Sequence, residues 1–216
     1  DFLKVVGNCV ADLNTIAVGL AAIGPNHEKP PGLNINWSPA DPMGAARKAR
    51  KATLHASMVV TVEALAQYMR SITKLPRFDD LTAEWNSRKQ YPSTSARLSE
   101  LAKRLFILTS PIEGEAAYET QFRTCCVMLL IHWRNRHVHY ESSKAELTHQ
   151  EKSVIQKHED RIKNSFAGLD VDRLLSDFKV NRPTLKETTT LIAMTIQEVR
   201  AMDDAVYRCH DEADVQ

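Results

Sequence analysis

Apolar residues recur at intervals of three and four through long stretches that contain no proline. The clearest case is the last stretch, whose apolar residues are Leu185, Ile192, Ile196, Val199, Met202 and Val206. This spacing places apolar side chains on one face of a helix. Proline costs about 3 kcal/mol inside a helix, so long stretches without it favour helices. The hairpin dipeptides Asn-Gly and Asp-Gly are absent. We therefore predict an all-α fold.

The prolines and the apolar spacing together predict where the helices lie. We expect helices over residues 1–23, 43–74, 93–108 and 114–140. Residues 24–42 carry five prolines and predict a long loop, in which Trp37 either stacks on a nucleobase or covers the core. Residues 75–92 are predicted to be irregular, with a short turn at TAEW. Element ends predicted in this way are accurate to a few residues.

Capping residues in the sequence predict where two later helices begin. Thr148 is followed three residues later by Glu151, and Thr184 by Glu187, which is the spacing of a capping box. Pro183 directly precedes the second pair. We expect one helix to begin after Thr148 and the last helix to begin after Thr184.

Composition and charge narrow the class of protein. The 216 residues are 43% apolar, which suits one domain over residues 1–216, with a disordered tail over about 209–216. The net charge of +1 gives no overall attraction to polyanions, so any RNA site must be a local patch. We see no apolar run near the roughly 20 residues that span a bilayer and no signal peptide, so we expect a cytoplasmic protein without membrane contact. The four cysteines form no CxxC pair and are expected to be free thiols in a reducing compartment.

Chemistry is concentrated in the segment IHWRNRHVHY, residues 131–140, which ends the most apolar predicted helix. Histidine can accept or donate a proton near neutral pH, and arginine offers a planar set of donors that matches phosphate oxygens. Asn135 and His139 are four residues apart and share a helix face. These residue types suit RNA cleavage by its own 2′-hydroxyl, which needs a proton acceptor, a proton donor and a cation. A solvated basic helix end is the simpler alternative.

A zinc site is the other alternative for this segment. His132, His137 and His139 lie close to Cys125 and Cys126 in the sequence. Helical zinc ligands favour a spacing of four residues, whereas His132 and His137 are five apart. We therefore predict no metal site and no cofactor.

The run Arg134-Asn135-Arg136-His137-Val138-His139 resembles the R-[N/H/D]-x-x-x-H signature of HEPN-domain proteins. These form an all-α superfamily of largely prokaryotic ribonucleases in toxin–antitoxin and antiviral defence systems. The resemblance implies a helical bundle that forms a homodimer through the motif helices. It also implies metal-independent endoribonuclease activity that leaves a 2′,3′-cyclic phosphate, and control by an inhibitory antitoxin or regulatory domain.

The resemblance also assigns roles. Arg134 would hold the phosphate, His139 would be the acid–base group, and Asn135 would be the polar residue after the arginine. Positions 134 and 139 are about 140° apart around an ideal helix, which favours a site shared across a twofold axis. Some family members carry a tyrosine two residues after the histidine, which a partner nucleotidyltransferase modifies. Here Glu141 occupies that position and Tyr140 the one before it, so this regulation is not carried over.

Several further residues are candidates for supporting roles. The family often has an acidic residue on an earlier helix near the motif arginine, and Glu63 either fills that role by holding Arg134 or lies on a solvated stripe. His137 and Tyr140 are further supporting candidates. Candidates for RNA binding are Arg136 and the basic residues early in the second helix, which are Arg47, Lys48, Arg50 and Lys51. The alternative function is a non-catalytic helical module that dimerises or binds RNA or a nucleotide within a larger assembly.

Overall fold

The structure, a computed structural model, describes residues 1–108, 115–138, 146–166 and 168–211. Within these ranges every regular element is a helix, so the all-α prediction is confirmed. The helices are α1 (Phe2–Ala21), α2 (Pro42–Ile72), a 3₁₀ turn (Pro76–Phe78), α3 (Asp79–Ser87), α4 (Thr94–Leu108), α5 (Glu115–Val138), α6 (His149–Lys157), α7 (Glu159–Ser165), α8 (Val171–Lys179) and α9 (Leu185–Asp211). The segment between α1 and α2 contains turns and no helix.

Helix starts follow the local signals in the sequence. The Thr148–Glu151 capping box is present at the start of α6, and Thr184 and Glu187 exchange the same pair of hydrogen bonds before α9. At α2, Asp41 accepts a hydrogen bond from the backbone N–H of Gly44 at 2.8 Å. Pro42 directly follows this cap and occupies the first turn, where its missing N–H leaves no helical hydrogen bond unmade.

Residues 75–92 correct one expectation. We predicted an irregular segment, but it contains the 3₁₀ turn and α3. Phe78, Leu81 and Trp85 are all buried at intervals of three and four, which ties this segment to the core. The indole of Trp85 also donates a hydrogen bond to Glu100 of α4. Nearby prolines and charged residues concealed this short apolar stripe.

The central element is α5, which packs against α2, α4, α6 and α9. Every residue from Cys125 to Ile131 is buried, and so is Trp133. A helix that is buried on all sides belongs in the middle of a bundle. Among residues 121–138, only Gln121, His137 and Val138 are exposed. At the C-terminal end of α5, His137 and Val138 therefore meet solvent.

A buried polar contact fastens α5 to α9. Glu198 is fully buried and accepts hydrogen bonds from the Thr124 hydroxyl at 2.7 Å and from Nε of Arg123 at 3.3 Å. Burial raises the pKa of Glu198, and its contacts with Thr124 and Arg123 oppose that rise. Because a buried carboxylate is costly without partners, this contact helps to fix how α9 lies along α5.

Helix α1 lies against α2 and has little other contact with the bundle. It is long and apolar enough to cross a membrane by length and composition, with a mean hydropathy of 1.3 over 18 residues. We expected no apolar run of this length. Lys4, Asn8 and Asp12 interrupt the apolar residues of this helix. Core helices and signal sequences meet the same criterion.

Candidate active site

The motif lies at the C-terminal end of α5. Residues 134–138 form the end of the helix, which the structure describes as far as Val138. His139 and Tyr140 lie outside the described residues. The described part of the candidate site therefore consists of Arg134 to His137 and the helices that surround them.

Two of the described residues hold the Arg134 side chain. Its guanidinium forms an ion pair with Glu63 of α2 and donates a hydrogen bond to Oδ1 of Asn135 at 3.1 Å. The Arg134 side chain is 15% exposed and the Glu63 side chain 54%. Glu63 therefore lies toward solvent and also contacts Arg134.

The sequence analysis missed a second arginine nearby. Arg97 of α4 is 7% exposed, and its guanidinium lies over the Tyr91 ring at 5.6 Å. Burial lowers the pKa of Arg97, with Tyr91 and Glu63 opposing that shift and Arg70 adding to it. Glu63 thus acts electrostatically on arginines of both α4 and α5. The sequence feature that could have identified Arg97 is its position in the apolar stripe of a helix, one turn before Leu101.

Two imidazole rings stack beside the motif. The ring of His137 lies 3.7 Å from that of His55 of α2, centroid to centroid, with 26° between their planes. His55 is 3% exposed, whereas His137 is exposed. Burial lowers the pKa of His55 to about 4, and the nearby His137 and Lys51 add to this. His55 is therefore neutral at neutral pH. It escaped the sequence analysis because a single histidine within a helix has no distinctive pattern.

Arg136 faces away from this group. Its guanidinium donates hydrogen bonds to the backbone carbonyls of Phe178 at 2.8 Å and Lys179 at 3.3 Å, and it lies 4.0 Å from the Phe178 ring centroid. Its side chain is 8% exposed. Cations are favourable at a helix C-terminus such as this end of α8. This placement favours a structural role for Arg136 over the RNA contact suggested by the sequence.

The basic residues early in α2 are all exposed. Arg47 pairs with Asp41 at 3.4 Å, whereas Lys51 lies one turn before His55 and affects its titration. Positions 47, 51 and 55 follow one another at four-residue intervals and so share one stripe of α2. Of the basic candidates, Arg47 and Lys51 lie on the stripe that leads to the motif. Trp37 lies in the segment before α2, where its ring meets that of His27 edge to face at 5.9 Å.

The remaining candidates for metal chemistry do not converge. In the part of the chain that the structure describes, no three side chains of His, Cys, Asp or Glu are grouped to hold a metal ion. Cys125 and Cys126 are buried free thiols, and burial raises the pKa of Cys125 to about 12. Burial also lowers the pKa of His132. These groups belong to the interior of the bundle.

No protein-family model matches the sequence, and comparisons with curated proteins and with solved structures find no match either.

Proposed function

We propose that this protein is a HEPN-like, metal-independent endoribonuclease that acts as a homodimer. The observation that carries the proposal is the setting of Arg134. The motif arginine stands at the solvent end of the central helix, where Glu63 and Asn135 hold its guanidinium in one orientation. An orientated guanidinium at a surface suits the binding of a phosphodiester, because its planar donors match phosphate oxygens.

The proposed reaction is transesterification within RNA. The 2′-hydroxyl attacks the adjacent phosphorus as a base removes its proton. The bond from phosphorus to the 5′-oxygen breaks, and that oxygen takes up a proton. The products are a 2′,3′-cyclic phosphate and a 5′-hydroxyl. Arg134 would stabilise the charge on the phosphate oxygens, and His139 would exchange the protons.

The arrangement of α5 limits how a dimer can form. Although α2, α4, α6 and α9 pack against this helix, His137 and Val138 at its C-terminal end are exposed and accessible to a second copy. We therefore propose that the dimer brings two such ends together, so that each Arg134 and His139 meets the pair from the other copy. This would overcome the separation of about 140° between the two positions on one helix.

The test is cleavage of a labelled single-stranded RNA in the presence of a chelator. We expect the wild-type protein to produce ends with a 2′,3′-cyclic phosphate, and Arg134→Ala and His139→Ala to lose cleavage. Two substitutions serve as matched controls: Arg104→Ala, which removes a surface arginine paired with Asp80, and His149→Ala, which removes an exposed histidine at the start of α6. Cleavage that persists in both motif variants would overturn the proposal.

The second candidate is a helical module that dimerises or binds RNA without cutting it. One observation favours it: a guanidinium that is 15% exposed and paired with a carboxylate is also what a purely structural arginine shows. A protein that binds RNA, never cleaves it, and loses stability in Arg134→Ala would support this candidate.

A further inference from the structure

The His137 ring belongs to an exposed residue and stacks on a second ring. One face of it lies on the ring of His55, 3.7 Å away and within 26° of parallel. His137 as a residue is exposed to solvent. An exposed ring supported on one face loses little freedom when a second planar group stacks on it, because its orientation is already restricted.

His55 is suited to act as this support. It is 3% exposed within α2, and its Nε2 has no hydrogen-bond partner among the described residues. Its lowered pKa keeps it uncharged at neutral pH. The two stacked imidazoles therefore do not repel each other through two positive charges.

The ring lies next to the proposed phosphate site. Arg134 and His137 are three residues apart, so they share a face of α5 and are about 4.5 Å apart along its axis. That face is turned toward α2, since Glu63 contacts Arg134 and His55 contacts His137. A group bound by Arg134 and a planar group on His137 would thus be neighbours, as the phosphate and base of one nucleotide are.

The positive charges near the His137 ring also suit a nucleotide. Lys51 is exposed and lies one turn before His55 on α2, close enough to influence the titration of His55. Arg47 follows one turn further along the same stripe. Single-stranded nucleic acids are commonly bound by such a combination of aromatic surfaces for the bases and cations for the backbone.

We propose that the His137 ring, supported by His55, is a stacking site for an unpaired nucleobase beside the phosphate held by Arg134. This proposal rests on the proposed function for the position of the phosphate. The site recognises the flat face of a base, and so it accepts single-stranded RNA of mixed sequence. Lys51 contributes attraction to the adjacent backbone.

The test uses a probe that cannot be cleaved. Fluorescence anisotropy at one fixed salt concentration measures binding of a labelled 2′-O-methyl octauridylate, whose blocked 2′-oxygens prevent transesterification. The second probe has the same length and charge but is built from abasic residues. The variants are His137→Ala, His137→Phe and His137→Lys, with Tyr207→Leu, which removes an exposed ring on α9, and His149→Ala as controls elsewhere in the fold. Thermal melting of each variant verifies that it is folded.

We expect His137→Ala to weaken octauridylate binding by roughly fivefold or more, which corresponds to the lower end of the ~1–3 kcal/mol per stacked base. His137→Phe should stay within about twofold of the wild type, because a phenyl ring also stacks. The difference between wild type and His137→Ala should disappear with the abasic probe. Both control variants should bind as the wild type does.

The stacking site would be overturned by unchanged binding by His137→Ala, by an equal loss with the abasic probe, or by recovery by His137→Lys together with failure of His137→Phe. Absence of octauridylate binding by the wild type would also overturn it. Cleavage of unmodified RNA, measured in parallel, keeps the two proposals apart. A protein that never cleaves but stacks a base on His137 refutes the ribonuclease alone, and one that cleaves with unchanged binding in His137→Ala refutes the stacking site alone.

Discussion

Glu63, near the middle of α2, and Arg134, near the end of α5, form an ion pair across 71 positions of sequence. The arginine is 15% exposed and the carboxylate 54%, so the pair lies at the boundary between the bundle and solvent. Exposed pairs of this kind contribute less than about 1 kcal/mol to stability. Orienting the guanidinium is therefore the larger effect that this pair can have.

The first prediction concerns that orientation. Glu63→Gln should leave the melting temperature nearly unchanged, because the lost ion pair is largely screened by water. RNA cleavage should fall between about 10- and 100-fold, since small misplacements of a reacting group have effects of this size. The control is Asp80→Asn, whose carboxylate is about as exposed as that of Glu63 and pairs with the more exposed Arg104. A loss of cleavage no greater than in Asp80→Asn would show that Glu63 does not position Arg134.

The second prediction separates Arg136 from the RNA-binding residues. Arg136→Ala should lower the free energy of unfolding by about 1–3 kcal/mol, because it removes charge-assisted hydrogen bonds and a cation–π contact at the end of α8. Lys51→Ala should instead weaken RNA binding and reduce its salt dependence, with stability unchanged. Urea unfolding and anisotropy on both variants test this. An RNA defect in Arg136→Ala without loss of stability would contradict it.

The third prediction is a pH dependence that arises from His55. Its pKa in the folded protein is about 4 and its ordinary value is 6.5. Between these values the unfolded chain takes up a proton that the folded protein does not, so stability falls as the pH is lowered through this window. The loss should be about 1–3 kcal/mol. His55→Phe keeps a ring at this position without a titrating group.

Urea unfolding at several pH values between 4 and 7.5 measures this effect as the difference between wild type and His55→Phe. The same acid-dependent loss of stability in both proteins would exclude His55 as its source.

The fourth prediction concerns Glu187, which should make stability depend on pH in the opposite direction to His55. Glu187 is 2% exposed, and burial together with Asp177 raises its pKa to about 7, against the Thr184 contacts that lower it. The unfolded chain releases this proton near pH 4.5, whereas the folded protein keeps it until about pH 7. Stability should therefore decrease by about 1–3 kcal/mol as the pH rises through this window.

Glu187→Gln should remove this decrease while retaining the hydrogen bond to the backbone of Thr184. The His55 and Glu187 effects oppose each other over overlapping pH ranges, so the wild-type curve alone hides both. Unfolding curves of the two single variants and the double variant separate them. A variant curve parallel to that of the wild type between pH 4.5 and 7.5 would contradict the assignment to Glu187.

Local signals in the sequence were sufficient for most of the secondary structure. The capping residues Thr148 and Thr184 predicted two helix starts, because a cap depends on residues three positions apart. Residues 75–92 were mistaken for an irregular segment, since their short apolar stripe lies among prolines and charged residues. The candidate Arg134 was found from its motif. His55 was missed because a single histidine within a helix has no local pattern, and Arg97 was missed although it lies in the apolar stripe of α4.

By itself, the sequence determined an all-helical chain and an end of the most apolar helix rich in arginine and histidine. Both depend on the spacing of residues that are close in the sequence, because this spacing determines the faces and the ends of a helix. Only the tertiary structure decided that α5 is enclosed by four other helices, that Arg136 turns to α8, and that His137 rests on His55. These relationships join residues far apart in the chain, and they are set by how the buried helix faces pack together, which no local pattern encodes.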